Sequence, residues 1–66
     1  MSVTTPQFLT DLLESSEAAI AAISDQITSD EDLTPINRVR LVDLLSAYER
    51  VSDQLRSFLR ALGEPQ

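Results

Sequence analysis

The chain has 66 residues and a formal net charge of −6, with eleven acidic and five basic residues and neither histidine nor cysteine. That length allows one domain, 1–66, whose own core supplies no more than about 3–5 kcal/mol of net stability. Disulfides and sites built on thiolate or imidazole are excluded, which leaves association with another chain as the usual remedy for so small a core.

The first six residues, Met1 to Pro6, lack a basic segment followed by an apolar one. The longest apolar run, Ala18 to Ile23, is too short to cross a bilayer. The expectation is a cytoplasmic protein with no membrane contact. Helix 1 is expected over about residues 6–28. Thr5 can cap it, and Pro6 suits the first helical position because its missing N–H would have no partner there. Leu9, Leu13, Ser16, Ile20, Ile23 and Ile27 are spaced alternately by four and three, the pattern of a helix seam.

Residues 29–34, Ser-Asp-Glu-Asp-Leu-Thr, form a short polar connection of the kind that joins antiparallel neighbours. Its acids do not alternate as a calcium loop requires, and it has no glycine at the turn. Helix 2 is expected over about 35–62, started by Thr34-Pro35 and stopped by Gly63 and Pro65. Arg56 and Arg60 fall in its last turns, where cations favour the helix dipole. Leu41, Leu44, Tyr48, Val51, Leu55, Phe58 and Leu62 alternate by three and four.

Folding the chain between the two runs sets Ser16 opposite Tyr48 and Leu13 opposite Val51. The largest seam residue then faces the smallest. The expected fold is all-α, an antiparallel two-helix hairpin. Phe58 and Leu62 would run past the start of helix 1, to be covered by Met1 and Val3 or by a partner. Charge supports the pairing: residues 1–33 carry seven acids and no base, whereas 34–66 carry five arginines against four acids.

The apolar stripe is wider than a hairpin can bury. Phe8, Leu12, Ala19 and Ala22 flank one seam, and Val42, Leu45 and Leu59 flank the other. Exposed apolar area of this extent marks an interface. Two hairpins packed into a four-helix bundle would cover it. The sequence therefore predicts a homodimer, or docking on a protein partner, with Phe8, Leu12, Ala19, Val42, Leu45 and Leu59 at the interface and the acids Asp11 and Glu14 nearby.

Catalytic chemistry is poorly provided for. Histidine, cysteine, lysine and tryptophan are all absent. The serines have no base to activate them, and Tyr48 reads as a packing residue. Glu14 and Glu17 share a solvated face rather than a cleft. No catalytic residue, metal site or cofactor is expected. The arginines of helix 2 are dispersed among acids with no aromatic interleaved, which argues against nucleic-acid binding. Arginine is the only basic residue type, as in chains encoded by GC-rich bacterial or phage DNA.

In length and hairpin plan the chain resembles the small plasmid copy-number regulators of the Rop type, hairpin dimers that bind RNA pairs. Those bind through basic and polar residues of helix 1, which here has no basic residue. Residues 33–63, from Leu-Thr-Pro-Ile-Asn through Tyr48-Glu49-Arg50 to Leu62-Gly63, resemble a helical stretch in the small subunits of phage terminases. Those assemble as rings and bind DNA through a separate helix-turn-helix domain, and no such domain lies within these residues. The leading expectation is a small non-enzymatic protein that binds stoichiometrically to regulate or assemble its partner. The alternative is an oligomerisation module linked to nucleic acid.

Overall fold

A computed structural model describes residues 4–63. Within them the chain forms two helices, α1 (Thr5–Ser29) and α2 (Pro35–Gly63), packed against each other as a hairpin. No described helix is long and apolar enough to cross a membrane.

The helix α1 starts one residue earlier than its sequence suggests. Thr4, not Thr5, is the N-cap: its Oγ1 accepts from the Gln7 N–H at 3.3 Å. Pro6 still fits, because every N–H of the first turn lacks an intrahelical acceptor. At the other end Asp30 organises the connection. Its N–H donates to the Gln26 carbonyl at 3.1 Å, and its carboxylate accepts from Asp32 N–H at 3.0 Å and from Gln26 Nε2 at 2.9 Å. An acid at a helix C-terminus is unfavourable to the dipole, but here the side chain closes an Asx turn that reverses the chain.

Thr34 and Pro35 start α2 as expected, with Thr34 Oγ1 accepting from Asn37 N–H at 3.3 Å. Gly63 is the last residue of α2, and no described residue has a positive φ. The left-handed glycine stop is therefore not used at Gly63. The suggested cover of Phe58 and Leu62 by Met1 and Val3 lies outside the described residues.

The α1 seam is as the sequence indicates: Leu9, Leu13, Ile20, Ile23 and Ile27 are half-buried and Ser16 is buried. The α2 seam is not. Leu44, Val51, Phe58 and Leu62 are exposed, and the protected positions are Leu41, Leu45, Tyr48, Ser52, Leu55 and Leu59. This set alternates by four and three in the same sense as the α1 seam. Lining the two sets up in antiparallel order, protected position against protected position, matches Leu9 with Leu59, Leu13 with Leu55, Ser16 with Ser52 and Ile20 with Tyr48. On this match a serine–serine layer stands in place of the expected Ser16–Tyr48 layer.

The physical reason is close approach. Ser16 and Ser52 retain 4% and 1% of their surface, less than any other described residue, with Leu55 next at 9%. Two small side chains at one level let the backbones draw together. A tyrosine opposite the serine would hold them apart there. The close layer has a cost, since the Ser52 hydroxyl is buried without a hydrogen-bond partner.

Among the described residues two polar contacts join the helices. Glu17 Oε1 and Arg56 Nη2 lie 3.7 Å apart, each side chain about half exposed, and Arg56 also binds Asp53 at 3.2 Å. Such a pair contributes only tenths of a kcal/mol. The second contact is more specific. Arg38 Nη1 donates to the Ile27 carbonyl at 2.9 Å. The last turn of α1 contains no basic residue, so α2 supplies the cation that its carbonyl end favours. Arg38→Met is expected to lower stability by about 1 kcal/mol, read from urea midpoints. Unchanged midpoints would mean that the contact carries no net energy.

Candidate docking face

The shifted seam decides where the surplus apolar residues go. Helical residues advance by about 100° each, so position relative to the seam fixes the face. Phe8, Leu12, Ala19 and Ala22 lie to one side of the α1 seam. Leu44, Ala47, Val51, Phe58 and Leu62 lie to the same rotational side of the α2 seam. In an antiparallel pair those two sides meet on one face of the hairpin. Glu17, Arg56 and Arg38 lie to the other side, consistent with the Glu17–Arg56 contact.

The hairpin therefore has a face rich in large apolar side chains and a face rich in charge, with exposed Ile36, Val39 and Val42 of α2 outside the apolar one. Phe8 and Phe58 are 57% and 53% exposed, and Leu12, Leu44, Val51 and Leu62 are also open to solvent. A shallow depression of about 210 Å³, lined by Leu44, Ala47, Tyr48 and Val51, runs along the α2 half of this face. Tyr48 spans its edge, half-buried between seam and face.

Of the residues anticipated at an interface, the structure places three on this face: Phe8 and Leu12 exposed, and Ala19 half-buried beside the seam. Val42 is exposed but lies on the charged side. Leu45 and Leu59 are half-buried within the hairpin seam itself. Leu44, Val51 and Phe58, which the spacing assigned to the seam, complete the face instead. Both phases of the α2 stripe share Leu41, Tyr48 and Leu55, so spacing alone does not separate them. The discriminating signal was Ser52, a small residue at seam spacing from Tyr48 and Leu55 and able to meet Ser16.

The depression on the face is lined by apolar side chains and the Tyr48 ring. Among the described residues no three carboxylates converge on a common point. No family model, curated protein or solved structure is significantly similar to the chain. The hairpin and its one-sided apolar face are therefore what the chain presents as evidence of its role.

Proposed function

We propose that the protein is a non-enzymatic interaction module that binds stoichiometrically through the apolar face of its hairpin, and that the complete unit is a four-helix bundle. The observation that carries this reading is the face itself. Six large apolar side chains from both helices, Phe8, Leu12, Leu44, Val51, Phe58 and Leu62, are exposed on one side of a layer one helix thick. Helices with an uncovered apolar stripe are stabilised by further helices packed on it. Binding would regulate or assemble whatever the face receives. A reducing compartment such as the cytoplasm suits a fold that uses no disulfide.

Catalysis has little support, since His, Cys and Lys are absent and the depression is lined by apolar side chains. The nucleic-acid-linked alternative has the arginines of α2 in its favour, but Arg38 and Arg56 are engaged within the hairpin.

The test is the double variant Leu44→Glu/Val51→Glu. Both positions are exposed in the hairpin, so helicity should be largely kept while association is lost, read by circular dichroism and sedimentation velocity. A variant that keeps every association of the parent chain would overturn the reading. Tight, steeply salt-dependent retardation of DNA or RNA in a mobility-shift assay would favour the alternative.

A further inference from the structure

We infer that the occupant of the apolar face is a second copy of this chain, related by a two-fold axis parallel to the helices, so that α1 of each hairpin lies against α2 of the other. The inference rests on the docking reading above and adds the partner and its orientation. Two observations carry it, one of area and one of charge.

The chain exposes 5193 Å², whereas a compact monomer of 7.3 kDa exposes about 4,200 Å². The excess, about 1,000 Å², is close to the roughly 800 Å² that each partner buries in a stable interface. Shape agrees with area. The radius of gyration is 15.3 Å and the thinnest extent 14 Å, whereas a compact chain of this length has a radius of gyration of about 11 Å. A second layer of the same thickness on the apolar face would supply the missing depth.

Charge selects the orientation. Two face-to-face arrangements keep all neighbouring helices antiparallel, and they differ in which helices meet across the interface. In one, α1 lies on the partner's α1. The helix carries Asp11, Glu14, Glu17 and Asp25 and no base, so this sets two purely acidic helices side by side. In the other, α1 lies on the partner's α2, where arginines outnumber acids by five to three. Every acidic helix is then flanked by two arginine-bearing ones. Arg40, on the same side of α2 as the apolar face, would come near the carbonyl end of the partner's α1, which favours a cation. An isologous contact of this kind closes at two copies.

The experiment uses sedimentation equilibrium and disulfide trapping on the full chain, which has no cysteine of its own. Ser15 and Gln54 are exposed, at opposite outer edges of one hairpin and at nearly the same level along it. They are too far apart to bridge within a chain. In the inferred dimer Ser15 of one copy falls next to the partner's Gln54. The purified chain at micromolar concentration should sediment at twice 7.3 kDa. An equimolar mixture of Ser15→Cys and Gln54→Cys chains, briefly oxidised, should trap mainly the mixed dimer, and Ser15→Cys alone should trap little. A dimer that traps Ser15→Cys with itself overturns the orientation. A monomer at these concentrations overturns the self-association. Neither result removes the docking reading if Leu44→Glu/Val51→Glu still abolishes binding to another protein.

Discussion

Leu55→Ala should abolish cooperative folding of the isolated chain at ambient temperature. Leu55 is the one buried hydrophobic side chain among the described residues, and the antiparallel match of the two seams sets it level with Leu13. Truncating a buried leucine costs about 2–5 kcal/mol through lost transfer energy and the cavity left behind. A core of this size supplies about 3–5 kcal/mol in total, so one such loss consumes most of it. The measurement is thermal and urea unfolding followed by circular dichroism at 222 nm, a standard helix signal, on parent and variant at equal concentration. A variant with a transition near that of the parent would show that the seam does not run through Leu55. A double-mutant cycle in a stabilising osmolyte refines the test. Leu13→Ala should couple with Leu55→Ala, whose side chains share a layer, and should add independently to Val51→Ala on the exposed face.

Ser52→Leu should be the second most damaging single change. The seam at Ser52 has room for little beyond a hydroxymethyl group, and Ser16, which the antiparallel match sets opposite, is also buried. A leucine there forces the helices apart or leaves its rotamer strained, at a cost of about 1–3 kcal/mol and sometimes more. The matched control is Ser52→Ala. It removes a buried hydroxyl that has no hydrogen-bond partner and places a better helix former at the same volume. That control should be neutral or more stable by about 1 kcal/mol. The opposing signs distinguish a close serine–serine layer from the serine–tyrosine layer expected from spacing. If position 52 faced solvent, both variants would change stability by only tenths of a kcal/mol. Urea midpoints at constant slope decide between them.

The two predictions concern the same feature, and it also sets the docking face. Turning α2 so that Ser52 rather than Val51 meets α1 moves Leu44, Val51 and Phe58 out of the seam. Those side chains then join Phe8 and Leu12 on one side of the layer. The serine layer brings the helices close at its own level. It also leaves apolar area uncovered that a differently phased seam would have hidden.

The sequence by itself determined the elements and their order. Thr-Pro starts, a polar six-residue connection and two alternating apolar runs are local signals, set by capping, by proline's missing donor and by helical periodicity. None of these depends on what lies across the fold. The six α1 seam positions were legible for the same reason, because the run through Leu13, Ile20 and Ile27 is more apolar than the interleaved one through Leu12, Ala19 and Gln26. Charge separation between the halves was legible as composition, and its direction is realised in the Glu17–Arg56 and Arg38–Ile27 contacts. The tertiary structure alone decided the phase of α2. Two interleaved runs share Leu41, Tyr48 and Leu55, and by hydrophobicity the run with Leu44, Val51 and Phe58 is the stronger. What selects the other is steric: two serines at one level permit an approach that no pair involving Tyr48 allows. That preference is a property of two surfaces in contact, so it has no expression in the periodicity of either helix. The same choice settled which residues are open to a partner, which is why Leu45 and Leu59 lie in the hairpin and Leu44 and Val51 on its face.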